Sequence, residues 1–373
     1  MMAPSRWAAA SLLAWRDQMP GGLGEGDFAR RLFAVADVYQ GAKVTHDRPP
    51  YAIRPVPVGN GFAEVREEVV LDQPFGSLLR FVKQGVTAPQ PKMLVVAPLS
   101  GHFATLLRST VQTLLIDHDV YITDWKNARD VPLSAGRFGF EDYVDYVIGF
   151  IRHLGPGSHL LSVCQPCVPA FAAVAVMAQE KDPAQPRTMT LMGGPVDTRI
   201  APTVVNQLAM DNPIQWFEDN LISHVPWRFA GAGRRVYPGF LQLSAFMSMN
   251  LDRHFAQHRK LYQHLADAEA EAASKIQDFY EEYFAVLDMT ADYYLETVDF
   301  VFQRTALLTV EGERDDICSV GQTAAAHLLC GSLRPHLKRH HLQPGVGHYG
   351  VFSGSRWETQ VYPQVRNLVL AMG

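Results

Sequence analysis

Three residues of this 373-residue chain, Cys164, Asp315 and His348, are of the types and in the order that nucleophilic acyl chemistry uses. A thiol with an ordinary pKa of about 8.5 is only a few per cent thiolate at neutral pH, so it attacks a carbonyl effectively only with a base or a cation beside it. His348 can take that proton. Asp315 can hold the imidazole in the right tautomer and stabilise the imidazolium that forms. A carbonyl under attack also needs donors for its developing negative charge. The backbone N–H of Gln165 and the Leu99–Ser100 region are the candidates for that oxyanion hole.

Each of the three follows an apolar run of strand length. His159 to Val163 leads into Ser162-Val163-Cys164-Gln165-Pro166, and Pro166 to Met177 is a small-residue segment that predicts a tightly packed helix. In the nucleophile elbow G-x-S-x-G, small flanking residues let strand and helix approach while the central side chain projects. Here Ser162 and Pro166 hold the small positions and Cys164 replaces the serine. The predicted helix also turns its dipole, about half a positive charge, toward the thiol. Ala306 to Val310 precedes Glu311-Gly312-Glu313-Arg314-Asp315-Asp316, where the G-x-x-D register from Gly312 favours Asp315 over its neighbour Asp316. Leu337 to Leu342 precedes the glycine-rich turn Gly345-Val346-Gly347-His348-Tyr349-Gly350.

The surrounding elements predict how these loops are presented. Ala63 to Leu71 and Leu78 to Val82, parted by Asp72-Gln73-Pro74, read as leading antiparallel strands. Strand-length runs then alternate with helical segments: Lys92 to Ala97, Phe103 to Ile116, Asp119 to Thr123, Phe140 to Leu154, His159 to Val163 and Thr188 to Met192. That rhythm implies right-handed crossovers and a mostly parallel sheet covered by helices on both faces. With the order nucleophile, acid, histidine, the expected class is α/β, an α/β-hydrolase fold. The alternation stops between residues 197 and 300, where aromatic residues accumulate, and an inserted helical cap explains this. The expected layout is an N-terminal helical segment (1–50), the core in two parts (51–196 and 301–373) and the cap (197–300). A helix near Val320 to Cys330 belongs to the second part.

Composition narrows the function. The chain is 47% hydrophobic and 19% charged with a net charge of -5, so no basic stripe offers itself to phosphates and nucleic acid is not expected as a partner. Four cysteines (Cys164, Cys167, Cys318 and Cys330) are too few and too badly spaced for a disulfide framework and favour a reducing compartment such as the cytoplasm. Leu160 to Gln179 carries no charge, but its prolines and glutamines speak against a transmembrane segment. Arg6 and the apolar run Trp7 to Trp15 lack a small-x-small cleavage site and read as an amphipathic helix rather than a leader. His118, His153 and His159 lack ligand spacing, so neither a metal nor a cofactor is expected. Cys167 reads as packing rather than half of a C-x-x-C redox pair. His102, Trp216 and Tyr349 are candidate substrate-binding residues, with a structural histidine the alternative for His102 and plain core the alternative for the aromatic cap. A homo-oligomer stays open.

The chain resembles the intracellular polyhydroxybutyrate depolymerases along most of its length. The resemblance rests on THDRPPYAI from Thr45, APLSGHFATLLR from Ala97, VYITDWKNARDVP from Val120, VCQPCVPA from Val163, VYPGFLQL from Val236, VEGERDDI from Val310 and GVGHYGVFSG from Gly345. It implies Cys164, Asp315 and His348 as a Cys-His-Asp triad. It also implies a thioester intermediate and a substrate of poly(3-hydroxybutyrate) held in cytoplasmic storage granules, whose surface would be the partner. A synthase-like acyltransferase would carry a G-x-C-x-G box and a longer chain, and a small-molecule esterase or thioesterase would not need so large an aromatic region. A granule-coating protein would not need the ordered triad. Water or coenzyme A could resolve the intermediate; only scattered charges (Arg108, Lys126 and Arg129) follow the relevant strands, which favours water.

Overall fold

The computed structural model describes residues 3–19, 26–196, 198, 203–303, 307–316, 319–324, 338–352, 354–365 and 367. The chain divides into two compact units, Met1–Gly194 with Glu218–Tyr294, and Pro195–Phe217 with Leu295–Gly373.

The first unit begins with α1 (Ala3–Asp17) and α2 (Asp27–Gly41). They are joined by Arg16 on Asp37 at 2.7 Å and by the Arg6 guanidinium donating to the Tyr39 and Ala42 carbonyls. A short hairpin follows, β1 (Val56–Val58) and β2 (Gly61–Ala63). The main sheet contains β3 (Val65–Asp72), β4 (Gly76–Lys83), β5 (Lys92–Val96), β6 (Asp119–Trp125), β7 (His159–Val163) and β8 (Thr188–Met192). Its order is β3-β4-β6-β5-β7-β8, with β4 antiparallel to β3 and β6 and the later pairs parallel. A leading antiparallel strand pair, one crossover that places β5 inside β6, and βα units thereafter make this an α/β-hydrolase sheet. The exposed edge strand β3 is blunted by Arg66, Glu67 and Glu68.

The crossovers carry α3 (Arg108–Leu114), α4 (Phe140–Leu154) and α5 (Cys167–Gln179). The apolar spacing of α4 buries Phe140, Tyr143, Val147, Ile148, Ile151 and Leu154, while Glu141 and Asp142 in its first turn and Arg152 in its last complement the dipole. Trp125, Phe138, Tyr143, Phe150 and Tyr293 form an aromatic core, Tyr143 stacking on Tyr293 at 5.1 Å. Each such ring contributes about 4–6 kcal/mol at ~25 cal/mol per Å² of buried area. The helix expected from Phe103 to Ile116 is instead a 3-10 turn (Ala104–Leu107) leading into α3. Ala104 and Thr105 are fully buried, and the tighter turn lets the backbone close onto the core there. The uncharged stretch Leu160 to Gln179 is shared between β7 and α5, and no described helix is long and apolar enough to cross a membrane.

Further along lie α6 (Val204–Asp211) and α7 (Ile214–Leu221), then β9 (Ser223–His224) and β10 (Arg235–Tyr237), α8 (Gly239–Met249), α9 (Leu251–Ala266) and α10 (Ala270–Phe284). Next come β11 (Met289–Thr290) and α11 (Ala291–Thr297). Helices α8 to α10 and strands β9 to β11 belong to the first unit, where α9 packs on α2 and α10. Leu243, Tyr280, Phe284 and Val286 form their core. The aromatic region therefore splits: Tyr237, Tyr280, Phe284 and Tyr293 are buried, whereas Trp227, Phe240 and Phe279 face solvent.

In the second unit α6 is opened by Thr203, whose side chain accepts from the Asn206 N–H while the Asn206 side chain accepts from the Thr203 N–H. The parallel pair β12 (Leu307–Gly312) and β13 (Lys338–Gln343) follows. Of the helix expected near Val320 to Cys330, residues 320–324 form a turn and the remainder lies outside the described residues, as do Cys318, Ala306 and Leu337.

Candidate active site

Cys164 stands at the end of β7 with φ 68°, one of four described non-glycine residues with positive φ. A cysteine in that region is strained by about 1–3 kcal/mol, so its surroundings must hold it there. They do so through three contacts. The Cys164 N–H donates to the Met192 carbonyl at 2.7 Å, the Cys167 N–H donates back to the Cys164 carbonyl at 3.1 Å, and Pro166 with φ -73° starts α5. Cys164 is exposed, whereas Cys167 is fully buried, its thiol 3.4 Å from the Ser162 carbonyl, as a packing residue would be. Gly194, just past β8, explains the Gly193-Gly194 pair: a Cβ there would fall inside the Cys167 side chain and 2.9 Å from the Cys164 carbonyl.

Around the thiol two influences oppose each other. Burial of the sulfur among neighbouring atoms pushes the Cys164 pKa up, and the Gln165 backbone N–H, hydrogen-bonded to it, pulls it down, with burial the larger. The resting group is a thiol and needs a base. The loop after β5 is anchored by the Ala97 N–H on Thr123 Oγ1 (2.9 Å) and by Trp125 Nε1 and the Tyr143 hydroxyl, both donating to the Ala97 carbonyl. This brings Leu99 to Gln165, but in a way the sequence did not suggest. The Leu99 N–H donates to the Gln165 side-chain oxygen at 3.4 Å, and the Gln165 amide nitrogen donates to the Tyr293 hydroxyl. Gln165 therefore offers its backbone to the sulfur and its side chain to the second candidate donor. Ser100 is half-buried beside it.

In the second unit β12 and β13 pair in register from Leu307 opposite Lys338 to Gly312 opposite Gln343, so the loops leaving their ends run side by side. Gly312 makes the close approach feasible, since a Cβ on it would meet the Val346 carbonyl at 2.9 Å. The Arg314 N–H donates to the Val346 carbonyl at 2.9 Å and the Gly345 N–H to the Glu313 carboxylate at 2.8 Å. The result joins two expected site residues: His348 Nδ1 lies 2.9 and 3.2 Å from the two Asp315 carboxylate oxygens. With Nδ1–H donating to Asp315, the lone pair belongs to Nε2, the nitrogen a general base uses. Only 5% of the Asp315 side chain is exposed, whereas Asp316 is exposed.

Glu311 is a positioning residue that pattern reading missed. Its buried carboxylate accepts from the N–H groups of Gly321, Thr323 and Ala324 at 2.7 to 2.8 Å, which lowers its pKa and fastens the loop after β12 to a following turn. The sequence signal was an acidic residue directly after an apolar strand-length run, which the structure places inside β12, where a buried charge needs partners.

The candidate substrate-binding residues fare differently. Trp216 is half-buried, its ring edge-on to Phe217 at 5.0 Å, and the Tyr349 side chain lies outside the described residues. His102 is 6% exposed, its Nε2 is 3.1 Å from the Tyr283 carbonyl, and its ring packs against Phe246 and Tyr283. It matches the structural alternative. Burial lowers its pKa from 6.5 to about 4. Between those values the unfolded chain binds a proton at His102 that the folded chain refuses, so stability is full above 6.5 and declines as pH falls toward 4, by up to about 3 kcal/mol. Urea unfolding at pH 7.5 and 4.5 checks this: His102→Asn should show a shallower acid loss than the parent protein, and equal slopes would refute it.

A family model described as PHB de-polymerase C-terminus matches residues 193–306 and 303–372. No curated protein matches the chain. Among solved structures, a thermophilic esterase from Thermogutta terrifontis is 13% identical, over 83% of this chain and 99% of that one, with a TM-score of 0.30. The thioesterase domain from the curacin biosynthetic pathway is 11% identical, over 82% and 99%, with a TM-score of 0.32. An α/β-hydrolase from the metagenome of Lake Arreo, Spain, is 13% identical, over 98% and 96%, with a TM-score of 0.29. At such scores these likenesses add nothing to the strand order already described.

Proposed function

We propose, from the match of residues 193–372 to the family model described as PHB de-polymerase C-terminus, that the chain hydrolyses ester bonds of amorphous poly(3-hydroxybutyrate) at storage granules. The observation that carries the reading is the elbow, a cysteine held at φ 68° between β7 and α5. Cys164 is the nucleophile, His348 the base and Asp315 the group that orients it. His348 Nε2 takes the thiol proton as sulfur adds to the ester carbonyl. The carbon–oxygen bond then breaks, and the imidazolium returns the proton to the departing hydroxyl end of the polymer. Water, deprotonated by the same imidazole, adds to the thioester and releases the carboxyl end. The N–H groups of Gln165 and Leu99 take the oxyanion; the Gln165 side chain now on the Leu99 N–H yields that donor as the substrate carbonyl arrives.

Water as the acceptor is supported by the fate of the nearby cations. Arg108 is paired with Glu282, Lys126 with Asp72 at 2.6 Å, and Arg129 lies 3.7 Å from Asp130. A phosphate-rich acceptor would find Arg108 and Lys126 already neutralised. The test incubates purified protein with amorphous granules, with and without coenzyme A. Free 3-hydroxybutyrate or its oligomers, released in proportion to protein in both, is the expected result. Polymer growth from hydroxybutyryl-CoA, or no release, would overturn the assignment.

A further inference from the structure

Helix α1 is rich in apolar residues, yet none of residues 4–17 is buried. Its alanine-rich run is helix-forming by propensity, but a helix of about 12–15 residues is marginal in water unless an apolar face packs against something. Ala9, Leu12 and Leu13 are half-buried, on the side from which Arg6 and Arg16 reach α2. The opposite side is bare. Trp7, Ala8, Ala10, Ser11, Ala14 and Trp15 are all exposed, Trp7 by 74% and Trp15 by 59%. Their spacing sets the two rings about 80° apart around the helix, so both project over one face. On α2, Phe28, Leu32 and Val35 are exposed at i, i+4 and i+7, Phe28 by 80%. Apolar exposure gathered in this way marks an interaction surface, and tryptophan is the side chain that most often anchors one.

Charge selects what such a face can meet. None of the six exposed residues on this side of α1 is ionisable. The cations of the helix pair are occupied within it: Arg6 donates to the Tyr39 and Ala42 carbonyls, Arg16 binds Asp17 at 2.9 Å and Asp37 at 2.7 Å, and Arg31 binds Asp27 at 3.0 Å. A helix that lies on a lipid bilayer sets Lys and Arg on its polar face toward anionic headgroups, and here those groups are taken. What fits is a surface that is apolar and uncharged. An amorphous aliphatic polyester is one: its methyl groups suit the tryptophan rings, and its ester carbonyls accept from the indole N–H.

We propose that the bare face of α1, with the exposed row on α2, docks the protein on the amorphous polyester particle. Trp7 and Trp15 are the anchors. Attachment there keeps the protein on the particle between one cut and the next, which raises the effective concentration of ester bonds at Cys164. The inference rests on the polyester reading above and adds to it how the protein holds a substrate much larger than itself.

The double variant Trp7→Gln with Trp15→Gln is the direct test, because glutamine keeps the helix propensity and removes the ring. Trp227→Gln is the control, a residue 90% exposed in the turn between β9 and β10. Each protein is sedimented with protein-free particles of amorphous poly(3-hydroxybutyrate) and assayed on a soluble 3-hydroxybutyrate trimer. The double variant's affinity for the particles should fall about 30-fold, the loss that goes with one anchoring ring of an interface. Its kcat/KM on the trimer, and the particle binding of Trp227→Gln, should stay within about twofold of the parent. Unchanged particle binding by the double variant, or an equal loss in Trp227→Gln, would refute the docking face. Binding of the parent to phosphatidylglycerol vesicles but not to the particles would assign the face to lipid and overturn the proposal. A dimeric parent that the double variant turns into a monomer would overturn it in favour of a second copy of the chain. If the parent cleaves neither trimer nor particles, yet the double variant alone loses particle binding, docking is upheld and the hydrolytic reading has failed.

Discussion

Cys164→Ala should bring release of 3-hydroxybutyrate from amorphous granules down to background, a loss of about 10⁶-fold if the triad acts as a unit. The thermal midpoint should stay within a few degrees, because the residue is exposed and its backbone contacts do not use the side chain. Alanine suffers the same left-handed strain as cysteine, so the turn itself is not relieved. The comparison that gives the result meaning is Cys167→Ala. That substitution removes a buried sulfur from under Gly194 and should cost stability, on the scale of a small core cavity, while leaving the chemistry in place. If Cys167→Ala were instead the inactive one, the nucleophile would be misassigned. The same logic predicts that the protein rests as a thiol: burial outweighs the Gln165 N–H at the sulfur, so activity depends on a base rather than on a standing thiolate.

Asp315→Asn is the second large effect, expected at about 10³–10⁴-fold in kcat with little change in KM. Asparagine preserves the shape but can turn its amide toward His348, favouring the tautomer with the proton on Nε2, and it withdraws the charge that stabilises the imidazolium. Asp316→Asn should change kcat by less than about twofold, since that side chain is exposed while Asp315 holds the imidazole at 2.9 Å. Steady-state kinetics on a soluble oligomer checks both, and the reverse ranking would move the acid by one residue.

Elements were legible where their apolar pattern was bounded by turn residues: the helix Phe140 to Leu154 and the strands His159 to Val163 and Thr188 to Met192 all have those limits. The turn into α3 was not, because the helical spacing of Phe103 to Ile116 carries no mark of how deeply Ala104 and Thr105 sink into the core. At the candidate site, residue type and order pointed to Cys164 and to Asp315 with His348, since each follows a strand end. Contacts made through side-chain geometry escaped. Nothing in Val163-Cys164-Gln165-Pro166 announces that Gln165 reaches the Leu99 N–H, nor that Glu311 binds three backbone amides. The aromatic count between residues 197 and 300 suggested a surface for polymer. Its largest rings divide between core and solvent, a distinction that composition lacks because burial depends on which helix face each ring occupies.

The bond from the Cys164 N–H to the Met192 carbonyl has a consequence for how the protein is made. The strained conformation is held from the next strand, so a chain emerging from the ribosome cannot keep Cys164 in it until β8 has been synthesised and paired. Until then the thiol sits on relaxed backbone, an ordinary cysteine without the fixed direction and the Gln165 N–H contact of the finished turn. The poised nucleophile is thus a late product of folding. Substitutions that loosen β8, such as Gly194→Ala, should leave early folding rates unchanged and speed unfolding, which stopped-flow chevrons would register in the unfolding limb alone.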